Sequence, residues 1–383
     1  MKYDDFDKYL LQGEPGKRVK AQAWKTAIGL QDVDGLPTSA YLLDTAKRHI
    51  EGDISIDEVR KLLDSYYKTK TDRTEDEIKT EEGDKVSASI TKLINEQTFS
   101  FSPSGLASIH KRIFNGVLKF AGTFRDCNIS KREWVLHGQS VLYVSFAEIR
   151  PALEHDFNNE KEFSYKNLTP TEMVRHFAKF ISGIWQIHPF REGNTRTTAV
   201  FAIKYLRAMG FPVSNDLFAE NSWYFRNALV RANYRNYALQ VEPEFEHLEK
   251  FFRNLLLNEH NELKNRYLVI SPPEKLTPQV DPTSSPQTPD KLTGQVPDKL
   301  MPDDPRVHQL VSVLGNHELT VKEMMTLIDM KHRETFLNNY LNPAIQTGFV
   351  RLLYPESPRH PRQKYLLTVR GLTAYQEIKH GEQ

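Results

Sequence analysis

A proline-rich stretch at residues 271–305 limits what this chain of 383 residues can fold into. Its closely spaced prolines stand among Ser, Thr, Gln and Asp, so the stretch can neither continue a helix nor build a core. It therefore predicts a semi-extended linker between parts that fold separately. At about 100–200 residues per domain, the chain has room for two or three domains.

Composition excludes several classes of protein. With 39% hydrophobic and 26% charged residues, the chain is not collagen-like, a disulfide scaffold or wholly disordered. Its net charge of +1 gives no argument from bulk charge for a nucleic-acid or membrane partner. The single Cys127 cannot form an intramolecular disulfide, and the sequence shows neither a signal-like start nor an apolar run of about 18 residues. We therefore expect a cytoplasmic protein without a membrane partner.

The part of the chain before residue 86 predicts a small helical region. Apolar residues recur at helical spacing over 40–50 and 56–67, and Ser55 followed by Glu58 predicts a capped helix start. The segment 68–85 is dense in charges of both signs and nearly devoid of apolar residues. It predicts a solvated connector or a helix end.

The central block, at about residues 100–263, is mainly helical by pattern. Apolar side chains at steps of three and four predict two long helices: Met173, Phe177, Phe180, Ile181 and Ile184 in the first, and Val200, Ile203 and Leu206 in the second. Between Phe124 and Ile149 the pattern changes to two short apolar runs, which predict a β-hairpin. Val141, Tyr143 and Val144 of this hairpin would either pair with an extended target segment or pack on the core.

The part after the linker predicts three helices, VHQLVSVLG, TVKEMMTLIDM and RETFLNNYLNPAIQTG, and then two strands, FVRLLY and KYLLTV. Three helices closed by a hairpin form the winged-helix arrangement. Basic residues gather on its predicted recognition helix and wing: Arg333, Arg351, Arg359, Arg362 and Lys364. DNA is therefore one candidate partner, although winged helices also bind proteins or act as spacers.

Residues 188–199, HPFREGNTRTTA, lie between the two long predicted helices and carry groups suited to chemistry. Gly193 lets the backbone approach a ligand, and the free N–H groups that open the second helix make an anion site. Around it stand a base, a carboxylate, an amide and a guanidinium: His188, Glu192, Asn194 and Arg196. These groups suit phosphoryl or nucleotidyl transfer with Mg²⁺, but a structural loop whose histidine caps a helix explains them equally well.

The segment resembles the signature loop of Fic (fido) domain proteins, H-x-F-x-[DE]-G-N-G-R-x-x-R. Six positions match: His188, Phe190, Glu192, Gly193, Asn194 and Arg196. The stretches AGTFRDCNIS and NSWYFRNALVRANY are also similar to those that flank the loop in this family. Two positions depart from the pattern: Thr195 replaces its second glycine, and Ala199 replaces its second arginine.

The sequence pattern and the resemblance together predict a mainly α fold in four segments. A helical, antitoxin-like region at 1–85 precedes a Fic-type helical core with a β-hairpin flap at 86–270. The proline-rich linker at 271–305 then leads to a C-terminal winged-helix domain at 306–383.

The resemblance also implies a function, the transfer of AMP from ATP onto a Ser, Thr or Tyr hydroxyl of a target protein or of the chain itself. His188 would be the general base, with a pKa of about 6.5 suited to neutral pH. Glu192 would hold Mg²⁺, and the loop would bind ATP through Glu192, Gly193, Asn194, Thr195 and Arg196. The alternative is a DNA-binding regulator or toxin–antitoxin component whose Fic core is a weakly active nucleotide sensor.

The two departures bear on nucleotide binding. Thr195 keeps the anion site only if its φ is negative, and its hydroxyl would either bind phosphate or cap the second helix. Ala199 removes a γ-phosphate contact, for which Arg191 or Arg231 are candidate replacements.

In many Fic proteins, a glutamate in a motif [ST]-x-x-x-E-[GN] faces the second arginine and blocks ATP. Within residues 24–67 the only Glu-Gly pair is Glu51-Gly52, which follows Lys47 and not Ser or Thr. Since Ala199 has also removed the arginine, we expect this ionic lock to be lost and the first block to serve as a packing domain.

Overall fold

The computed structural model describes residues 6–70, 73–213, 216–270, 301–358 and 360–381. Most of the predicted linker and Arg359 of the predicted wing lie outside the described residues. The described residues are mainly helical, with one two-stranded sheet, which confirms the mainly α fold class. No helix among them is both long and apolar enough to cross a membrane.

The N-terminal block consists of α1 (Asp7–Gln12), α2 (Pro15–Gly29), α3 (Ala40–Glu51), α4 (Ile56–Lys68) and α5 (Glu75–Asn95). Ser55 and Glu58 form the predicted capping box at the start of α4. The charged segment 68–85 is mostly the first half of α5, where the side chains face solvent until burial begins at Gly83. The domain boundary proposed at residue 85 therefore falls inside α5, whose buried second half belongs to the core of the central block.

The central block contains α6 (Pro103–Phe114), α7 (Ile149–Glu162), α8 (Pro170–Ile187), α9 (Asn194–Ala208), α10 (Asp216–Glu220), α11 (Ser222–Asn233) and α12 (Glu246–Leu257). The two helices predicted from apolar spacing are α8 and α9, and the side chains that predicted them are buried. Thr169 and Glu172 cap the start of α8. These helices share one large apolar core with α2 and α5, and the loop 188–193 joins α8 to α9 on its surface.

The flap segment, residues 124–149, contains no strand in its described structure, so the predicted β-hairpin is wrong. A single turn at Trp134–Leu136 reverses the chain, and the Glu133 N–H donates to the Gln139 carbonyl at 2.9 Å. Side chains form hydrogen bonds to backbone groups that would otherwise pair between two strands. The Arg125 guanidinium donates to the carbonyls of Cys127 and Val144, and this contact satisfies oxygens that strands would otherwise use.

The C-terminal domain contains α13 (Pro305–Leu314), α14 (Val321–Leu327), α15 (Arg333–Phe336) and α16 (Asn342–Gln346), with a π-helical turn at Leu337–Leu341. Strands β1 (Val350–Leu352) and β2 (Tyr365–Leu367) pair antiparallel, and α17 (Val369–Gly381) follows. The predicted order of helices and strands is present. We did not predict α17, which buries Ala374 and Ile378 in the domain's core. The winged-helix assignment and DNA binding stay predictions.

The C-terminal domain docks on the end of α9 through a close backbone approach. Gly210 and Gly348 both have positive φ, and a Cβ on Gly210 would lie 2.3 Å from the Gly348 carbonyl oxygen. The Arg370 N–H donates to the Met209 carbonyl at 3.2 Å. Larger residues at the two glycines would separate the domain from the central block.

Candidate active site

His188 ends α8 in a left-handed conformation (φ 49°), and its side chain is 2% exposed. Its Nδ1 lies 3.1 Å from the Trp185 carbonyl oxygen. Because a carbonyl can only accept, Nδ1 carries the proton and Nε2 keeps its lone pair. Nε2 is buried and has no hydrogen-bond partner in the described part of the chain. This is the arrangement of a neutral base with one nitrogen available.

Two aromatic rings hold the imidazole. Tyr143 stacks on it with ring centroids 4.0 Å apart, and Trp185 meets it edge-on at 5.1 Å. Burial, with a further contribution from the charge of Lys131, lowers the pKa of His188 well below 6.5. The expected pKa near 6.5 was wrong because the ring is buried. His188 is therefore neutral at physiological pH.

Asn194 shapes the loop. Its Oδ1 accepts from the Phe190 N–H at 3.0 Å, and its Nδ2 donates to the Phe190 carbonyl at 2.8 Å. The amide predicted to face a nucleotide therefore closes the loop on itself. Phe190 is buried, as an anchor for this loop should be.

His110 on α6 supports the middle of the loop. Its ring stacks on Phe190 at 3.8 Å, its Nδ1 accepts from the Gly122 N–H at 2.8 Å, and its Nε2 donates to the Glu192 carbonyl at 3.0 Å. Burial lowers the pKa of His110 to about 4. We did not predict this role, because no local signal connects residue 110 with a loop 82 positions away.

Gly193 starts α9 with φ 76°, and a Cβ there would lie 2.3 Å from the Phe114 ring, so the position requires glycine. The first bond of the helix runs from the Thr197 N–H to the Gly193 carbonyl. The N–H groups of Asn194, Thr195 and Arg196 are therefore outside the helix's own ladder and available to an anion. Thr195 lies in α9 with negative φ, and its Oγ1 accepts from the Trp185 Nε1–H at 3.0 Å.

Arg196 is 1% exposed, and each of its side-chain nitrogens faces an oxygen of the N-terminal block. Nε lies 2.8 Å from an Asp34 carboxylate oxygen, Nη2 lies 2.8 Å from Glu82 Oε1, and Nη1 donates to Gln31 Oε1 at 3.1 Å. Carboxylates of the N-terminal block therefore face Arg196, the first arginine of the motif, and not the second one, which Ala199 replaces. Of these carboxylates, Glu82 belongs to a Glu-Gly pair, Glu82-Gly83, that lies outside the segment 24–67. Glu51 instead pairs with Lys17 at 2.7 Å, within the N-terminal block.

A cavity of about 730 Å³ lies where the N-terminal block, the flap segment and the loop meet. Its charged lining consists of Asp32, Asp34, Lys79, Glu82, Lys131, Glu192, Arg196 and Arg226. The two arginines proposed to replace the missing one are absent from this lining and pair elsewhere, Arg191 with Asp126 and Arg231 with Glu244. Besides Arg196, the cations in the lining are Lys79, Lys131 and Arg226.

Glu192 is the loop carboxylate predicted to hold a metal ion. It is partly exposed on the cavity, and its Oε1 lies 2.9 Å from Lys131 Nζ. No cluster of three or more metal-ligating side chains occurs among the residues that the structure describes. One carboxylate remains consistent with Mg²⁺, which takes one or two protein carboxylates together with substrate phosphates.

Arg125 connects the flap segment to the base. Its Nε donates to the His188 carbonyl at 2.8 Å, and its N–H donates to the Pro189 carbonyl at 2.8 Å. Val141 and Tyr143 pack in the core, so the packing alternative holds for these two residues, and Leu142 between them is 85% exposed.

Two protein families match separate parts of the chain. Residues 100–206 match the Fic/DOC family, and residues 305–368 match the C-terminal domain of Fic-like proteins, "Filamentation induced by cAMP protein Fic-like". Over the whole chain, a Fic family protein structure from Desulfovibrio desulfuricans G20 gives a TM-score of 0.42 at 17% identity, covering 95% of this chain and 93% of that one.

Two curated relatives match part of the chain. The probable protein adenylyltransferase y4lH of Sinorhizobium fredii is 29% identical over 133 residues, 33% of this chain and 62% of that protein. The protein adenylyltransferase VbhT of Bartonella schoenbuchensis is 25% identical over 116 residues, 30% of this chain and 23% of that protein. The match thus spans less than two thirds of either relative.

Proposed function

We propose that this chain, which belongs to the Fic/DOC family, transfers AMP from ATP onto a hydroxyl group of a protein. The observation that carries the proposal is the His188 imidazole, which is neutral, gives its Nδ1–H to Trp185 and keeps an unpartnered Nε2. A base of this kind, in the loop that leads to free N–H groups at a helix start, suits a hydroxyl that attacks a phosphate. Two relatives named as adenylyltransferases favour the transferase over a DNA-binding regulator.

In this reaction the hydroxyl oxygen forms a bond to the α-phosphorus while the bond from that phosphorus to the α–β bridging oxygen breaks. The hydroxyl proton passes to His188 Nε2, and pyrophosphate leaves. The backbone N–H groups of Asn194 and Thr195 would donate hydrogen bonds to the phosphate oxygens and stabilise their negative charge. Arg196 would join them once it leaves its carboxylate partners.

Glu192 would hold Mg²⁺, which when bound would neutralise part of the phosphate charge. In that state Lys131, now paired with Glu192, becomes available to a phosphate oxygen. Glu192→Ala is expected to lower transfer and to remove its dependence on Mg²⁺ concentration.

The hydroxyl would come from another protein or from a second copy of the chain. The flap segment supports a protein substrate because three of its large apolar side chains are exposed: Trp134 (54%), Leu142 (85%) and Phe146 (45%). The test of this support is whether the three side chains form one contiguous apolar patch, since only such patches mark contact with a protein surface.

The test is to incubate the purified full chain with Mg²⁺, a cell lysate and ATP labelled at either the α- or the γ-phosphate. Relative to the lysate alone, we expect the added chain to increase the protein label that comes from the α-phosphate and not the label that comes from the γ-phosphate. Label from the γ-phosphate alone would indicate phosphoryl transfer and would contradict the proposal, as would no label from any α-labelled nucleotide. His155→Ala, at an exposed histidine of α7, is the matched control for variants of His188.

A further inference from the structure

Thr195 stands where the signature pattern has glycine, and its hydroxyl has a defined partner. Thr195 Oγ1 accepts the Nε1–H of Trp185 at 3.0 Å, and both side chains are buried. This hydrogen bond joins the first turn of α9 to the last turn of α8. Glycine at this position would offer no side-chain acceptor.

Trp185 is also the residue that holds His188. Its carbonyl oxygen accepts from the His188 Nδ1–H at 3.1 Å and from the His188 backbone N–H at 3.0 Å. Its indole meets the imidazole nearly perpendicular, at 88°. The Trp185 backbone therefore accepts both N–H groups of the histidine, while the Trp185 indole packs against the imidazole ring.

A buried indole N–H without an acceptor is unfavourable, so the indole would turn toward another acceptor if the Thr195 hydroxyl were lost. The turn would change the edge that the indole presents to the imidazole. Tyr143, which packs on the Trp185 ring at 5.8 Å and on the His188 ring at 4.0 Å, would have to adjust as well. Loss of the Thr195 hydroxyl would therefore affect His188, although no described hydrogen bond joins Thr195 to the imidazole.

We propose that Thr195 is a positioning residue for the candidate base: it fixes the Trp185 indole, and the indole holds the His188 ring in the orientation in which its Nδ1–H reaches the Trp185 backbone carbonyl. The departure from glycine is thus a gain of a specific contact. The catalytic meaning of this inference rests on the proposed function, whereas the contact and its effect on the imidazole do not.

The experiment uses nitrogen-15 NMR of the full chain labelled at histidine, with the His188 signals assigned by their loss in His188→Ala. Wild type should show His188 as a single neutral Nδ1–H tautomer at pH 7. Thr195→Val keeps the side-chain shape but removes the acceptor, and we expect it to give a mixture of the two tautomers. Thr195→Ser keeps the hydroxyl and should restore the single tautomer.

Two further variants keep the test decisive. Trp185→Phe removes the donor and should give the same tautomer mixture, and the double variant should be no worse than the more affected single variant. This second route serves if Thr195→Val does not fold. Thr197→Val is the matched control, because the buried Thr197 Oγ1 has no hydrogen-bond partner among the described residues. An unchanged single tautomer in both Thr195→Val and Trp185→Phe would overturn the proposal.

Kinetics separate this inference from the proposed function. For AMP transfer, Thr195→Val should lower kcat by about tenfold or more while KM for ATP stays within about threefold, because the base is displaced and the nucleotide site is kept. A rise in KM for ATP of about tenfold or more with kcat unchanged would contradict a positioning role. If wild type transfers no AMP yet the tautomers behave as expected, the proposed function fails and the positioning inference stands.

Discussion

The two ends of the segment 188–196, which comprises the loop and the first turn of α9, are held in opposite ways. At one end, His188 Nε2 has no partner among the described residues, and Tyr143 of the flap segment stacks on its ring. At the other end, all three side-chain nitrogens of Arg196 face oxygens of the N-terminal block. The base is thus ready to accept a proton, while the cation suited to phosphate is already engaged. Under the proposed function, the flap segment would therefore act on proton transfer at His188, and the N-terminal block would act on nucleotide binding at Arg196.

The largest expected change comes from freeing Arg196. Asp34→Asn combined with Glu82→Gln removes both negative charges and keeps the side-chain shapes, so the guanidinium becomes available to a phosphate. Since hydrogen bonds to charged groups contribute about 1.5–3 kcal/mol, we expect ATP to bind between about tenfold and 100-fold more tightly. Isothermal titration with ATP and Mg²⁺ measures this.

Glu81→Gln is the matched control for that variant, because Glu81 lies on the same helix and pairs with Arg73 and Lys85 away from the cavity. Adding Arg196→Ala to the Asp34→Asn/Glu82→Gln variant should abolish the gain, whereas Arg196→Ala alone should change ATP affinity by less than about threefold. Unchanged ATP affinity in the freed variant would show that the carboxylates do not compete with phosphate.

A smaller effect concerns His110, which supports the loop between its two ends. Its pKa of about 4 in the folded chain lies below the ordinary 6.5, so the unfolded chain binds more protons as the pH falls. Its contribution to stability is complete above pH 6.5 and decreases as the pH falls toward 4. At pH 5 the loss is about 2 kcal/mol, and the lowered pKa of His188 acts in the same direction.

Urea unfolding at pH 7 and pH 5 checks this prediction. His110→Gln can still donate to Glu192 and accept from Gly122, but it does not titrate. The free energy of unfolding of this variant should therefore fall by about 2 kcal/mol less between the two pH values than that of wild type. Equal decreases would mean that the protonation of His110 is not linked to folding.

The surroundings of His188 were more predictable from the sequence than those of Arg196. Helices α8 and α9 follow from local apolar spacing, and Gly193 and the free N–H groups follow from helix geometry. The partners of Arg196 lie 114 and more residues away, and nothing local marks Asp34 or Glu82 as its partners. The predicted hairpin failed for a similar reason, because Arg125 takes carbonyls of the flap segment through a contact that apolar alternation does not encode.

The smallest expected effect comes from Glu51. Its carboxylate accepts from Tyr9 and pairs with Lys17 at an exposed site within the N-terminal block, and exposed pairs contribute little to stability. Glu51→Gly should therefore change self-modification by less than about threefold, measured as label incorporated from α-labelled ATP. A rise of about tenfold or more would show that Glu51 inhibits the site, and control of the nucleotide would then extend beyond Asp34 and Glu82.

The proposed roles of Arg196 and His188 are tested together by the rate of AMP transfer of the Asp34→Asn/Glu82→Gln variant with and without His188→Ala. We expect the freed variant to transfer AMP faster than wild type. Adding His188→Ala should lower that rate by about 10²–10⁴-fold, the usual contribution of a general base, and leave ATP affinity within a few-fold. Equal transfer with and without His188→Ala would remove His188 from the mechanism and contradict the proposed function.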